Sequence, residues 1–150
     1  MVGIYNHFIA NSPATFDLHP YSVGERVPWF SQFAEDGPHQ LLVADREGDV
    51  AGFAASTRLK ERPGYNTSVE TTVYVAAGNE GQGIGSALYD ELLKRVQAAG
   101  IHAAFAGIAL PNEASVKLHE KYGFKHAGTL AEVGYKFDRF IDVAWFQKHF

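Results

Sequence analysis

The chain has 150 residues, 46% hydrophobic and 20% charged, the make-up of one globular domain able to bury roughly 70% of its unfolded surface. A net charge of −4 argues against a nucleic-acid partner, since such domains carry a basic excess or stripe. The lack of cysteine excludes disulfides, thiolate metal sites and a cysteine-linked acyl intermediate. No basic-then-apolar leader and no run of about 18 apolar residues occurs, so a cytoplasmic protein with no membrane partner is expected.

Residues 2–10 read as a short amphipathic helix, ended by Asn11-Ser12-Pro13. Ser22 followed by Glu25 is a capping-box pattern and predicts a second helix through Val27, Trp29, Phe30 and Phe33, bent or delayed by Pro28. Gln40 to Ala44 and Val50 to Thr57 are extended apolar runs flanking Asp45 to Asp49, whose charges and glycine suit a hairpin turn. Arg58 to Thr67 then gathers Arg58, Lys60 and Arg62, a Pro-Gly turn and Tyr65 into one stretch, which reads as a functional loop.

Glu70 to Val75 alternates at period two, with Glu70, Thr72 and Tyr74 on one face and Thr71, Val73 and Val75 on the other. In the helix expected next, Ile84, Leu88, Leu92 and Val96 stack at four-residue spacing, widened by Ala87 and Ala99 and stopped by Gly100. His102 to Ala109 is an almost unbroken apolar run, the pattern of a strand covered on both faces. Asn112 as N-cap and Gly123 as stop frame a further helix, with Glu113, Lys117, Glu120 and Lys121 on one arc and Ser115, His119 and Tyr122 across from it. Thr129 to Phe137 and Phe140 to Phe146 predict a closing hairpin across Asp138-Arg139. With no linker or repeat, residues 1–150 are expected to form a single mixed α/β domain.

Between central strand and helix stand three alternate glycines, Gly81, Gly83 and Gly85. They clear side chains from the place where a helix presents unpaired N–H groups and its positive dipole end, a setting that attracts phosphate. A P-loop would need a lysine ahead of Ser86, and a dinucleotide fingerprint would need G-x-G-x-x-G and an acidic residue closing the next strand. Both are absent, since the next strand closes on Asn112. Taken alone, the turn also reads as a tight connection with glycines chosen for packing.

Glu80-Gly-Gln-Gly-Ile-Gly85 resembles the Q/R-x-x-G-x-G/A turn of the GNAT superfamily of acyl-CoA-dependent N-acyltransferases, and Asn112, His119 and Gly123-Phe124 stand at that family's second set of markers. Ile4 to His7, Ala14 to Asp17, Ala106 to Ser115, Leu118 to Glu120, Val133 to Lys136 and Asp142 to Trp145 are similar to the phosphinothricin N-acetyltransferase subfamily. The resemblance implies a GNAT fold with a mixed (α+β) sheet, acetyl-CoA as cosubstrate without metal, and direct acetyl transfer to a small amino acid or its phosphinic, sulfoximine or sulfone analogue. Coenzyme contacts are implied at Val73, Tyr74, Val75, Gly81, Gln82, Gly83, Ile84, Gly85, Ser86, Asn112 and Ser115. For the acceptor it implies Arg62, Tyr65, Thr72 and Tyr74, with Phe16 and Phe137 as walls; Lys60 beside Arg62 completes a cationic group suited to a carboxylate.

The family habit of homodimers fits the aromatic tail (Trp145, Phe146, Phe150), which core burial explains equally well. Two departures stand out. Glu80 occupies a position where the family prefers Gln or Arg, and the strand that opens family members is missing ahead of the first helix. Either the start is truncated, or another segment or subunit finishes the sheet edge.

Direct transfer requires a free amine, a polarised thioester carbonyl and a proton for the leaving thiolate. An alkylammonium titrates near 10, so a group must take its proton. Glu70 is the expected base, against the plainer reading of a strand-edge glutamate, and burial would raise its pKa. His119 is the catalytic partner that the resemblance implies, although a structural histidine fits the helix as well; Tyr122 is a weaker acid candidate. Asn112 serves its own helix cap, the pantetheine arm, or both. The alternatives are a non-catalytic acyl-CoA sensor, against which the retained Glu70 and His119 speak, and an acetyltransferase for a protein N-terminus or polyamine; the basic loop opposes polyamines.

Overall fold

The computed structural model describes residues 1–150. Six strands, β1 (Leu41–Arg46), β2 (Asp49–Arg58), β3 (Ser68–Val75), β4 (Ala103–Ala109), β5 (Lys125–Lys136) and β6 (Arg139–His149), form one sheet in the order β1-β2-β3-β4-β6-β5. Four helices accompany it: α1 (Val2–Asn11), α2 (Val23–Phe30), α3 (Ile84–Ala98) and α4 (Glu113–Lys121). Every strand pairing is antiparallel except β3 with β4. The chain opens on α1, and β1 is one edge of the sheet.

Local chemistry explains most boundaries. The capping box forms, with Ser22 Oγ accepting from Glu25 N–H at 3.3 Å and Glu25 Oε2 accepting from Ser22 N–H at 2.7 Å. Helix α2 contains Pro28 and ends at Phe30, short of Phe33. Both hairpin turns are tighter than the sequence suggests. Glu47-Gly48 (φ 56 and 91) and Phe137-Asp138 (φ 54 and 55) are two-residue loops with positive φ at both positions, the geometry that suits twisted strands. The second turn is therefore centred on Phe137-Asp138 and not on Asp138-Arg139. Strand β6 runs on to His149, which pairs with Ala103, because its length is set by flanking partners and not by its own alternation.

Helix α3 buries Leu88, Tyr89, Leu92, Leu93 and Val96, so the apolar stripe is displaced toward Tyr89 and Leu93; Ala87 and Ala99 face solvent. The stripe packs on Ala54 of β2, Val69 of β3, Ala104, Ala106 and Ile108 of β4, and Ala144 and Phe146 of β6. The strand alanines let the helix axis approach the sheet. Each large side chain fully buried there stabilises by roughly 1.5–3 kcal/mol. Phe146 is buried and Phe150 packs on the same core, which accounts for these tail aromatics without an interface.

One irregularity positions the site. β3 and β4 pair only at Ser68–Ala103, Val69–Ala104 and Glu70–Phe105. Beyond that point β3 stays with β2 as far as Val75, and β4 stays with β6 as far as Ala109. A wedge opens between them, and α3 begins at its wide end.

The seat of α3 on β2 is tight at Gly52, where a Cβ would lie 2.8 Å from the Tyr74 carbonyl and 3.2 Å from Ile84. Gly52→Ala is expected to destabilise by about 1–3 kcal/mol through overpacking. The check is a lower urea midpoint at constant m-value; an unchanged midpoint would refute the tight seat.

Candidate active site

The wedge holds a cleft of about 1290 Å³, lined by Glu70–Val75 of β3, Ala106–Ala109 of β4, the glycine turn, the start of α4, the loop after α1, and β5. It exceeds the roughly 300–1,000 Å³ of ordinary small-molecule pockets and suits an elongated ligand. The parted strands turn unpaired backbone groups toward it, which gives a chain-like ligand with amides of its own a strand edge to pair with.

At the wide end, Gly81 and Gly83 have φ of 73 and 83 with nothing within 4 Å of an added Cβ. Gly83 is the N-cap of α3 and supplies no side-chain cap. The helical ladder starts with Ala87 N–H donating to the Gly83 carbonyl at 2.9 Å, so the amides of Ile84, Gly85 and Ser86 stand outside it. Gly85 has an ordinary φ, and its Cβ would make normal contacts of 3.6 Å with Leu118 and Val75. Small residues, left-handed φ and free amides at a helix start fit a diphosphate. Glu80 folds onto the turn itself, its Oε2 accepting from Gly78 N–H at 2.8 Å. Gln82 lies outside the cleft lining and braces the same residue, its Nε2 donating to the Gly78 carbonyl at 3.2 Å.

At the apex sits Glu70, half-buried, with neither a hydrogen bond nor an ion pair. Burial pushes its pKa above the ordinary carboxylate value, and the Lys60 charge pulls the other way. His119 is 3% exposed. Its Nδ1 lies 2.7 Å from the Ser115 carbonyl, which can only accept, so Nδ1 carries the hydrogen. Its Nε2 accepts from the Tyr89 hydroxyl at 2.7 Å. That hydroxyl lies 3.0 Å from Thr71 Oγ1, which bonds the Phe105 carbonyl at 3.2 Å, just where strand pairing ends. Burial lowers the His119 pKa, and the ring is neutral. Both its nitrogens are engaged, although it lines the cleft. Tyr122 does not reach the cleft, because its hydroxyl donates to the Ser86 carbonyl at 2.6 Å. Asn112 performs the cap, accepting from Ser115 N–H at 3.1 Å, while lining the cleft beside Ser115.

At the other end, Thr72 and Tyr74 line the cleft, and Tyr74 packs edge-on against Tyr5 and Phe8. The Phe16 ring lies over Gly134, where a Cβ would overlap it. Lys136 Nζ clamps the same loop, donating to the carbonyls of Ser12 at 2.9 Å and Thr15 at 2.7 Å. The acceptor set thus comes together only in part. Lys60, Arg62 and Tyr65 do not line the cleft; Arg62 caps the 3-10 turn Pro63–Tyr65, in the loop that enters β3 at Ser68. Phe137 sits in its hairpin turn, 48% exposed and outside the lining. Tyr89, Gly134, Trp145 and Lys136 belong to the site or its support and were not foreseen as such. Of these, the Val133–Lys136 and Asp142–Trp145 resemblances mark the segments of Gly134, Lys136 and Trp145 but give them no role in the site. No helix is long and apolar enough to cross a membrane, and no cluster of three or more His, Asp or Glu could hold a metal ion.

A sheet forced open over an anion-binding helix start is the architecture of acyl-CoA-dependent N-acyltransferases, and comparison with known proteins agrees. The model of the acetyltransferase (GNAT) family matches residues 1–124, and the chain belongs to that family. Phosphinothricin N-acetyltransferase of Streptomyces coelicolor is 49% identical over 150 residues, 99% of this chain and 88% of that protein. The L-methionine sulfoximine/L-methionine sulfone acetyltransferase of Pseudomonas aeruginosa is 33% identical over 147 residues, covering 98% and 86%. The crystal structure of a phosphinothricin acetyltransferase from Sinorhizobium meliloti in complex with acetyl-CoA superposes with a TM-score of 0.93 at 32% identity, covering 99% and 80%. The protein is an acetyl-CoA-dependent N-acetyltransferase.

The neutral, buried His119 generates a stability prediction. Its folded pKa is depressed, so the unfolded chain binds the proton more readily. The stability it contributes is therefore full above the unfolded value of about 6.5 and lost as pH falls from there through the depressed folded value. Urea midpoints of wild type and His119→Gln, taken from about pH 8 down to pH 5, should converge as pH falls; parallel curves would refute a neutral buried ring.

Proposed function

We propose that this enzyme acetylates the α-amine of a small amino acid or analogue of the phosphinothricin, methionine sulfoximine or methionine sulfone type, with Glu70 as general base. The observation that carries this reading is the placement of Glu70: the last β3 residue paired to β4, on the cleft, half-buried and without a partner. A carboxylate raised by burial and free of competing bonds can accept a proton from an ammonium held beside it. The relatives' substrates support the acceptor class.

Acetyl-CoA supplies the activated acyl group. The amides around Gly81 to Ser86 hold its diphosphate, and the free edges of Val73–Val75 on β3 and of β4, with Asn112 and Ser115, line the path to the apex. Thr72, Tyr74 and Phe16 wall the acceptor, while Lys60 and Arg62, outside the cleft lining, draw its carboxylate only through the charge of the loop entering β3. Glu70 takes one proton from the ammonium; a second leaves the nitrogen as the amide forms and balances the departing thiolate. His119 stays neutral and fixes the Tyr89 hydroxyl, which stands against Thr71 at the apex.

The protein acts as a single-domain cytoplasmic homodimer without nucleic-acid or membrane partners. The dimer reading draws on exposed Leu130, Val133, Tyr135 and Phe140 of the β5–β6 hairpin, the tail residues Phe146 and Phe150 being core. A sedimenting species of about 33 kDa, twice the 16.5 kDa chain, is expected; a monomer at micromolar concentration would refute it.

Thiol release over a panel of amines should show turnover with methionine sulfone, methionine sulfoximine or phosphinothricin. Glu70→Gln should lower kcat/KM by about 100-fold or more while leaving acetyl-CoA affinity intact. Because Glu70 works deprotonated, wild-type kcat/KM should fall as pH drops through its raised pKa, and this limb should vanish in the variant. Saturable acetyl-CoA binding without turnover on any amine would favour the sensor instead.

A further inference from the structure

Residues 76–86 carry one charged side chain, Glu80, and no cation. A turn that receives a diphosphate thus brings an anion of its own, and the Glu80 carboxylate turned onto Gly78 only moderates the repulsion. Two cations reach the turn from outside. Arg46, the last residue of β1, donates from Nη1 to Gln82 Oε1 and lies 3.5 Å from Asn79 Oδ1. Lys121, the last residue of α4, donates from Nζ to Ser86 Oγ at 3.1 Å. Neither belongs to an ion pair, although four other cations of the chain do. Both rest on neutral acceptors, one at each end of the glycine run. Arg46 keeps N–H donors to spare beyond Nη1, and Lys121 keeps two ammonium hydrogens.

We propose that Arg46 and Lys121 are the phosphate-binding cations of this enzyme, supplying from β1 and α4 the charge that the turn lacks. The proposal rests on the coenzyme's diphosphate occupying the glycine turn. On binding, each side chain would share or exchange a neutral acceptor for a phosphate oxygen, and the gain is largest for the doubly charged diphosphate. Glu80 is then tolerated because its charge is outweighed from two sides, and the motif's usual cation has moved to neighbouring elements.

The test is calorimetric binding of coenzyme A, 3′-dephospho-coenzyme A and pantetheine, at about 20 and 300 mM salt, by wild type and by Arg46→Gln, Lys121→Gln, Arg46→Lys and Glu80→Gln. Each Gln substitution at a cation should weaken coenzyme A and dephospho-coenzyme A alike by about three- to tenfold at low salt, less at high salt, and leave pantetheine unchanged. Arg46→Lys should retain most of the affinity, and Glu80→Gln should tighten coenzyme A by about two- to fivefold. Losses confined to the 3′-phosphorylated coenzyme would overturn the diphosphate assignment. A loss as large in Arg46→Lys, with the salt dependence unaltered, would show Arg46 to be only a brace for Gln82. Unchanged affinity in both Gln variants would refute the proposal while leaving the turn as the coenzyme site; wild type that fails to bind coenzyme A would overturn both.

Discussion

Where β3 leaves β4, after the Glu70–Phe105 pair, two strand edges lose their partners inside the protein. A buried backbone group left unpaired costs roughly 1–3 kcal/mol, so an open wedge persists only if closing it costs more. β3 is zipped to β2 on its far side through Val75, and β4 to β6 through Ala109. Closing the wedge would drag whole sheet halves, and the first orphaned carbonyl is already served by Thr71 Oγ1. The opening is thus a stable feature of the sheet, and the cleft and the position of Glu70 follow from it.

Helix α3 couples the two ends of that cleft. Its first turn presents free amides to the cleft, while Tyr89, on the buried stripe, reaches across to Thr71 on β3 and His119 on α4. One rigid element therefore carries the free amides of the glycine turn and the tyrosine that stands at the fork. The four core residues that share its stripe, Leu88, Leu92, Leu93 and Val96, hold both in register with β2 and β4. Tyr89, His119 and Phe124 pack together with ring centroids 5.0 to 6.0 Å apart, His119 standing edge-to-face to both of the others, so the Gly-Phe that ends α4 is also part of the fork's support.

Local signals made the donor half legible. Period-two alternation in Glu70 to Val75, three glycines, an asparagine cap and a capping box each express backbone chemistry within a few residues, and each lies where that chemistry predicts. The acceptor half was only partly legible, since it is assembled from segments far apart in the chain: Phe16 on Gly134, and Lys136 on Ser12 and Thr15. Phe137 shows the physical reason. A shift of one residue in the turn took it from a strand face to a hairpin tip, because the alternation was regular on both sides and did not mark the loop. The Tyr89–His119 contact was equally hidden, as no periodicity within α3 or α4 says which polar side chains meet across an interface.

The way His119 is held also redistributes the chemistry. A histidine that stores a transferable proton needs a nitrogen free to exchange it, whereas here Nδ1–H is spent on a carbonyl and Nε2 on a hydroxyl, and burial disfavours the charged ring. In the proposed mechanism, proton traffic then falls to the one titratable group at the apex without a bond of its own. Glu70 is governed by two opposed influences, burial that raises its pKa and Lys60 that lowers it. Burial is the larger of the two, so the carboxyl rests above its ordinary value even with the Lys60 charge nearby. An ammonium brought beside Glu70 would favour its carboxylate by opposite charge, so an arriving amine would meet Glu70 in the form that accepts a proton.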